Sequence, residues 1–412
     1  MITHRSGESL MTITTEARPD RGRLALRRAA PFMLAFVLLC AFAVLALPTT
    51  ANHPIRGLNY WPDSADYVGG AVALLHGTYL VSWDGLAPVH LAVAWGLVPH
   101  IPRYTPGMSI LLMPIVAVAG VTQAVWVPYA LGLLLGVLVA GMAARLSGPG
   151  AAPLAVAAVL GTGVWVGFTQ SIMSDVPSAT LAVLEVLLLL RARERGSVVA
   201  VGIIAAAIVW IRPTNAVLLL AGVAALSAQP HWRRRLSAYV AGAAPLLALL
   251  ALWQAALFGS PLVNGYQATG ASSDGDTMIG AFFASGYIAG LPASTSNVLF
   301  GWQLPNLLYY PLTLAGLNFS LALPGVGVLG VVAALWFARR MGALGALGRF
   351  SIVATLGTLL AYLPYFHQDP RFLIVPGVLL NLLAVIFVAR RWPRLFGVWS
   401  VRADAVESPA RW

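Results

Sequence analysis

The sequence contains little charge, no lysine and a single cysteine. Of its 412 residues 9% are charged, whereas soluble domains carry about 25%. All 25 basic residues are arginines, and 14 residues are acidic. The one cysteine, Cys40, lies in an apolar run, which excludes an intramolecular disulfide and a thiolate metal cluster. These deficits argue against an ordinary soluble domain.

Hydrophobic residues are correspondingly abundant. They make up 59% of the chain, and the mean hydropathy is +0.81. Long apolar runs favour helices that satisfy their own backbone hydrogen bonds in lipid. The sequence therefore predicts an all-α polytopic membrane protein, built as one membrane domain with about 10–11 transmembrane helices. The apolar segments are 29–47, 106–121, 124–144, 151–168, 176–190, 197–211, 214–228, 237–258, 312–337, 350–365 and 371–389.

The arginines explain the formal net charge of +11. They fall in short clusters between apolar segments, which is typical of topogenic charge rather than of nucleic-acid binding. The positive-inside rule places these clusters in the cytoplasm. We predict a disordered cytoplasmic leader 1–28, a transmembrane domain 29–392 with outer loops 48–105 and 259–311, and a cytoplasmic tail 393–412. If 143–151 is also cytoplasmic, segment 106–121 does not cross fully and is re-entrant or membrane-parallel.

The use of arginine instead of lysine, with abundant Ala, Gly, Leu and Val, suggests a GC-rich bacterial genome. We therefore expect a multi-pass protein of the bacterial cytoplasmic (inner) membrane. Most ionisable residues outside the arginine clusters fall on the outer side of this topology. Charge near a membrane boundary is costly unless it is solvated, paired or used. The topology thus predicts a site that faces outward and is assembled from four distant chain regions, of which the first outer loop contributes two segments.

The first of these segments is "NYWPDSADYVGG", residues 59–70, which holds Asp63 and Asp66. Apolar residues at 68, 72 and 75 have helical spacing and predict a short amphipathic interfacial helix in the first outer loop. In such a helix the two carboxylates share a face. An alternative is that Asp63 caps the helix and Asp66 completes a capping box.

Three further segments each carry one candidate. Arg103, in "PRYTPGMSILLMP", lies where the chain re-enters the membrane and can bind a phosphate, or else extends towards lipid headgroups. Asp175 precedes Val176-Pro177 and is a site residue or an N-cap. Arg212 interrupts two apolar runs before Pro213, where a broken helix can line a cavity; pairing with a lipid phosphate is the alternative.

The last segment, "YFHQDPR", packs His367, Gln368, Asp369 and Arg371 between two spans. A local Asp369–Arg371 ion pair in a turn would also explain this pattern. With carboxylates on the same side a divalent metal stays open, although the spacing matches no fixed zinc signature.

The order of these motifs resembles the GT-C superfamily of integral-membrane glycosyltransferases, most of all the branch with protein O-mannosyltransferases and the lipid A aminoarabinose transferase. The resemblance rests on "DSADY" after the first span, "RYTPGMSILLMP" at the end of that loop, "SDVP", a mid-chain "RP", and "DPRFLIVPGVLL" at the last span. It covers about residues 30 to 390.

The resemblance implies transfer of a sugar from a polyprenyl-phosphate donor to a glycan, lipid or protein acceptor on the outer face. Asp63 matches the catalytic acid of the first loop, with Asp66 as its neighbour. Arg103, Arg212 and Arg371 become candidates for binding the donor phosphate. The supporting polar residues are Tyr67, Asp175, His367, Gln368 and Asp369. Ser64 stands where a second acid is frequent, which argues against a tight two-carboxylate metal site.

Three other interpretations stay open: a transporter or lipid flippase, a ligase, and a structural membrane subunit with no chemistry. A transporter or lipid flippase would also use broken helices and buried charge, but it should place ionisable groups deep in several spans. A ligase that joins a preassembled glycan to a lipid would have a similar geometry, and a large outer loop near the last spans would favour it.

Overall fold

The computed structural model describes residues 21–48, 62–79, 104–192, 194–263, 286–291, 303–317, 322–365 and 367–393. Within these ranges every extended regular element is a helix, and no strand occurs. The predicted all-α membrane protein is therefore confirmed. Residues 1–20 of the predicted leader, 394–412 of the tail and most of both outer loops lie outside the described residues.

The helices follow in chain order: α1 Arg21–Leu45, α2 Pro62–Leu75, α3 Gly107–Ala119, α4 Trp126–Ser147, α5 Ala151–Leu160, α6 Gly163–Thr169, α7 Asp175–Arg191, α8 Arg195–Ile211, α9 Ala216–Leu226, α10 Trp232–Phe258, α11 Gly286–Ala289, α12 Asn306–Leu314, α13 Val326–Ala338, α14 Ala343–Tyr362 and α15 Ile374–Arg391. Short 3-10 turns precede α4, α9 and α15 at Val121–Gln123, Pro213–Asn215 and Pro370–Leu373.

Four helical stretches are long and apolar enough to cross a bilayer: Val121–Ser147, Trp232–Phe258, Ala343–Tyr362 and Pro370–Arg391. Shorter apolar helices, among them Gly196–Ile211 and Val326–Ala338, accompany them. The total of 10–11 spans stays a prediction.

Arginines gather at one end of the bundle, where several helices terminate. Arg235 Nη1 donates to Ala192 O at 2.9 Å, and Arg390 Nη1 donates to Leu146 O at 2.8 Å. The last carbonyls of a helix have no partner within the helix and carry partial negative charge. Arginine side chains therefore cap the carboxyl ends of neighbouring helices. We call this the basic end, comprising residues 144–151, 189–192, 194–195, 227–235, 338–349 and 386–393.

The last helix, α15, lies at the centre of the bundle. In Pro370–Arg391, 89% of an 18-residue apolar stretch is buried inside the protein, whereas the corresponding share in Trp232–Phe258 is 17%. Small residues let neighbouring helices approach closely: a Cβ at Gly330 of α13 would collide with the Leu380 backbone of α15. Because α15 is central, the segment that precedes it lies in the middle of the end of the bundle opposite the basic end. We call that opposite end, where Asp63, Asp175, Arg212 and Arg371 lie, the polar end.

Two helices, α2 and α3, stay at the polar end and form a smaller core of their own. Tyr67, Met108 and Leu112 pack there with Val125 and Ile172. The 13 residues of α3 span about 20 Å, less than the roughly 30 Å of a hydrocarbon core. Whether segment 106–121 is re-entrant or membrane-parallel stays a prediction.

The structure corrects two of the predicted segments. The run 312–337 is not one span, because α12 ends at Leu314 and α13 starts at Val326. Gly316 and Gly325 have φ of 87° and 78° there, a left-handed conformation that favours glycine and ends a helix. The run 151–168 is likewise divided, with α5 ending at Leu160 and α6 starting at Gly163.

The predicted helix after Pro62 is present, but its surface differs from the prediction. Ser64 and Asp66 are buried, whereas Leu75 is exposed. The polar side of α2 packs against protein because Ser64 Oγ donates to Ile172 O at 2.9 Å and Ser109 Oγ of α3 donates to Tyr67 O at 2.9 Å. The polar side of α2 therefore faces protein rather than solvent, and the interfacial placement of this helix stays a prediction.

Candidate active site

Asp63 lies in the first turn of α2 with 18% of its side chain exposed. Its Oδ1 accepts a hydrogen bond from the phenol of Tyr104. Arg371 Nη1 donates to Oδ2 at 3.3 Å. The two donors come from segments 41 and 308 positions away. Distant parts of the chain thus hold both oxygens of this carboxylate.

Arg371 links Asp63 to the other polar residues of its own segment. It lies in the turn Pro370–Leu373, and its backbone N–H donates to Asp369 Oδ1 at 2.9 Å. Arg371 Nε lies 3.2 Å from Asp369 Oδ2, and His367 Nε2 lies 3.8 Å from the same oxygen. The result is a row of alternating charge from Asp369 through Arg371 to Asp63, with His367 at its edge.

Asp175 and Arg212 form a second, more deeply buried ion pair. Asp175 Oδ1 accepts from Arg212 Nη1, and the two side chains are 2% and 17% exposed. Arg212 Nε donates to the Tyr362 hydroxyl at 3.1 Å. The ring of Phe372 lies 5.3 Å from the Arg212 guanidinium and 5.2 Å from that of Arg371. Two arginines thus meet around one aromatic ring.

The charges of this cluster act on one another strongly. Burial lowers the pKa of the Arg212 guanidinium, but the charge of Asp175, its hydrogen bond and the phenols of Tyr362 and Tyr67 together outweigh burial, so that this pKa lies well above its ordinary value. Burial raises the pKa of Tyr365 to about 12, where Arg212, Arg371 and Asp63 also act on the phenol. Arg212 therefore stays charged at every physiological pH.

One atom of each partner in the buried pair keeps its hydrogen-bonding capacity. Within the described residues Asp175 Oδ2 is buried without a hydrogen-bond partner, and Arg212 uses Nε and Nη1 but not Nη2. Buried polar atoms are normally paired. The unpaired atoms mark this place as one where a polar ligand would be stabilised.

Tyr67 and Gln368 contact the segments that carry the site. Tyr67 Oη donates to Ser174 Oγ at 3.1 Å, next to Asp175, and its ring lies 4.7 Å from that of Tyr104. Gln368 is fully buried, and its amide donates to Leu304 O at 2.6 Å. Both residues tie the site-bearing segments to the helices around them.

Asp66 occupies a different environment from Asp63. It is 3% exposed and lies near Tyr79: burial raises the pKa of that phenol, its hydrogen bond to Ser109 opposes the shift, and the charge of Asp66 adds to it. The structure thus separates the two acids of the motif by their surroundings.

Arg103 lies outside the described residues. Within those residues no group of three or more His, Cys, Asp or Glu side chains could hold a metal ion. Asp63, Asp175 and Asp369 each pair with an arginine instead. These pairings do not fit a divalent metal site.

The structure also bears on the alternatives for three of the motifs. Asp175 is not the N-cap of α7, since Ser174 holds that position and Asp175 pairs with Arg212. Asp63 lies inside α2 rather than at its cap. The local Asp369–Arg371 ion pair does exist, but Arg371 additionally reaches Asp63.

Sequence reasoning missed three side chains that hold the site together. Tyr104 binds Asp63, Tyr362 binds Arg212, and Asn306 donates to the carbonyls of Leu363 and Tyr365 at 2.9 and 2.7 Å. Tyr104 stands in the quoted "RYTPG" segment, beside the arginine that drew attention. Nothing in one sequence signals contacts between tyrosines and charges so far apart along the chain.

These features define an all-α membrane protein with a cluster of acids and arginines at one end. No family model and no curated protein matches its sequence. The Archaeoglobus fulgidus oligosaccharyltransferase, tethered with an acceptor peptide containing the NVT sequon, matches in structure with a TM-score of 0.50 and 14% identity, over 88% of this chain and 50% of that one. ArnT from Cupriavidus metallidurans, bound to undecaprenyl phosphate, gives a TM-score of 0.49 and 14% identity, over 91% of this chain and 62% of that one.

The chain thus spans less than two thirds of the length of either protein. At this identity the likeness concerns the fold. In fold, the chain resembles this archaeal oligosaccharyltransferase.

Proposed function

We propose that the chain is a membrane glycosyltransferase that moves a sugar from a polyprenyl-phosphate donor to an acceptor hydroxyl on the extracytoplasmic face. One observation carries the proposal: the carboxylate of Asp63 is held from both oxygens at the polar end of the bundle, beside two arginines whose side chains are only 12% and 17% exposed. The fold likeness and the order of the motifs support the same class of reaction.

In the proposed reaction Asp63 is the general base. It takes the proton from the acceptor hydroxyl while that oxygen forms a bond to the anomeric carbon. The bond between the anomeric carbon and the phosphate oxygen breaks, and its electron pair leaves with the lipid phosphate. Tyr104 and Arg371 fix the orientation of the carboxylate, so that little reorganisation is needed in the transition state.

Arg212 and Arg371 are the proposed partners of the departing phosphate, together with Arg103. A phosphate gains charge as it leaves, and preorganised cations stabilise that charge in a site shielded from water. Asp175 holds Arg212 in place through one guanidinium nitrogen, which leaves Nη2 for the phosphate. Asp369 has the same role towards Arg371, and His367 lies at the edge of this pair.

The sidedness of the proposal follows from the arginines of the basic end. If that end faces the cytoplasm, the polar end faces outward, where the acceptor arrives. A lipid-linked donor would enter sideways between helices, from the outer leaflet of a bacterial inner membrane. The acceptor is a glycan, a lipid or a protein.

A transporter remains the second candidate function, and one observation bears on it. Glu185 is fully buried in α7, and its Oε1 accepts from the Tyr239 hydroxyl at 2.9 Å. A translocation path requires ionisable groups in several spans, whereas in the described residues the polar cluster lies at one end. We therefore favour the transferase.

Replacement of Asp63 tests the proposal. Membranes from a strain that lacks the gene would be complemented with the wild type, Asp63→Asn or Glu194→Gln, the last an exposed carboxylate near the basic end. We expect Asp63→Asn to abolish the glycan product and to accumulate the lipid-linked sugar, as measured by mass spectrometry. Glu194→Gln should match the wild type. Normal product from Asp63→Asn at normal expression would reject the role of Asp63.

A further inference from the structure

Helix α13 packs one face against its neighbours and leaves the other exposed. On the packed face, a Cβ at Gly327 would collide with the Leu314 backbone of α12, and one at Gly330 with the Leu380 backbone of α15. Residues three, four, seven and eight positions apart share one side of a helix. The exposed side chains with this spacing are Val328, Val331, Val332, Leu335 and Trp336. We call these five residues the α13 stripe.

The length and chemistry of the α13 stripe suit the acyl chain of a lipid. From Val328 to Trp336 the helix rises about 12 Å, and one leaflet contributes roughly 15 Å to the hydrocarbon core. The 13 residues of α13 include no charged side chain. Trp336 ends the stripe, and tryptophan is enriched where hydrocarbon meets the headgroups. Exposed apolar patches of this kind mark surfaces that contact a membrane or a partner.

Two exposed arginines, Arg339 and Arg340, follow the stripe directly at the carboxyl end of α13. The Arg340 guanidinium lies 5.9 Å from the centre of the Trp336 ring. Within the described residues neither arginine side chain forms an ion pair or a hydrogen bond. The planar fork of a guanidinium matches the oxygens of a phosphate. Apolar surface and anion-binding groups thus lie in the order in which a phospholipid carries its acyl chain and its phosphate.

A third arginine satisfies the end of the helix. The last carbonyls of a helix carry partial negative charge and repel an anion. Arg349 Nε donates to Ala338 O at 3.0 Å, and its Nη1 donates to Ser227 Oγ at 2.8 Å. The backbone N–H of Gly342 donates to Ala228 O at 2.8 Å. These contacts fix the turn after α13 and leave its two exposed arginines for a ligand.

The turn that receives these hydrogen bonds is basic as well. Arg233 and Arg234 are exposed at the start of α10, and the Arg233 guanidinium lies 5.7 Å from the centre of the Trp232 ring. Segments 227–235 and 338–349 contain no acidic residue. The ammonium of a zwitterionic headgroup therefore meets no carboxylate there, whereas an anionic headgroup is attracted by every arginine.

We propose that α13 binds an anionic phospholipid, with an acyl chain along the α13 stripe and the phosphate at Arg339 and Arg340. An apolar helix of a partner would also cover the stripe, but it would leave both arginines unused, so that the charge favours the lipid. The proposal is independent of the transferase function, because this site lies at the opposite end of the bundle from Asp63.

The test is native mass spectrometry of the purified full-length protein in detergent. It would be titrated with phosphatidylglycerol or with phosphatidylcholine of the same acyl chains. We expect phosphatidylglycerol to bind about tenfold more tightly. Joint replacement by Arg339→Gln and Arg340→Gln should weaken its binding by roughly thirtyfold, from the attraction lost with two arginines near a headgroup. Leu335→Asn, which places an amide in the stripe, should weaken it by about fivefold.

Arg191→Gln is the matched control, because Arg191 is an exposed arginine at the carboxyl end of α7 and belongs to the same basic end. This variant should bind phosphatidylglycerol as the wild type does. The inference is overturned if phosphatidylcholine binds equally well, or if the double arginine variant keeps wild-type affinity. An equal loss from Arg191→Gln would overturn it in favour of diffuse attraction.

Two further results would assign the surface to another occupant and so overturn the inference. Displacement of the lipid by glycerol phosphate would show that the arginines bind a free anion. A wild-type dimer that Leu335→Asn dissociates would show that a second copy of the chain covers the α13 stripe. The same spectra report both results, because they resolve the mass of each complex.

Discussion

The buried pair of Asp175 and Arg212 gives the sharpest prediction on stability. The Asp175 side chain is 2% exposed and that of Arg212 is 17% exposed, so water replaces a lost partner poorly. Removing one member of a buried pair typically costs about 3–5 kcal/mol, because a charge is left unpaired, whereas apolar replacement of both is often neutral. We therefore expect Asp175→Leu to be strongly destabilising and the double variant with Arg212→Leu to recover most of the loss.

The charge state of Arg212 fixes the pH range of this effect. Because the folded protein raises the pKa of this guanidinium, its stabilisation is fully present below the unfolded pKa and is lost only as pH rises through the folded pKa. The effect of Asp175→Leu should thus be the same from neutral pH to about pH 9, well below the ordinary pKa of arginine.

The measurement is a double-mutant cycle on protein in detergent. The midpoint of thermal unfolding would be followed by loss of the monodisperse peak in size-exclusion chromatography. At about 2 °C per kcal/mol for a large domain, Asp175→Leu should lower the midpoint by roughly 6–10 °C. A single variant as stable as the wild type, or a double variant less stable than both single ones, would show that the pair does not hold the polar end together.

Three further outcomes follow from contacts at named positions. Tyr104→Phe removes one hydrogen bond from Asp63 and should slow transfer by about tenfold at unchanged thermal stability, measured as single-turnover rates; an unchanged rate would exclude the positioning role. A Cβ at Gly202 would collide with the backbone of α10, so Gly202→Leu should prevent folding, while Gly196→Leu, which meets nothing within 4 Å, should express normally. Asn306→Ala leaves two carbonyls unpaired at about 1–3 kcal/mol each, and both unfolding midpoint and transfer should fall together; a loss of transfer alone would contradict a purely supporting role.

The contacts at the two ends of the bundle show how much of the structure the sequence alone could predict. Arginine clusters and apolar runs predicted two ends of opposite character, and the structure joins Asp63, Arg371 and Asp369 at one of them. The prediction worked because charge placement is a property of the linear chain once the spans are located. It failed at 312–337 and at the surface of α2, where glycine conformation and packing against neighbouring segments outweigh hydrophobic pattern.

The sequence by itself determined the helical membrane class, the arginine-rich end and the residue types gathered at the polar end. Hydropathy and charge act locally, and each segment carries that information alone. The tertiary structure decided which groups touch: Tyr104 and Arg371 on Asp63, and Asp175 on Arg212. Such contacts depend on how helices pack across up to 308 positions of chain, because only packing brings side chains from separate helices within hydrogen-bonding distance.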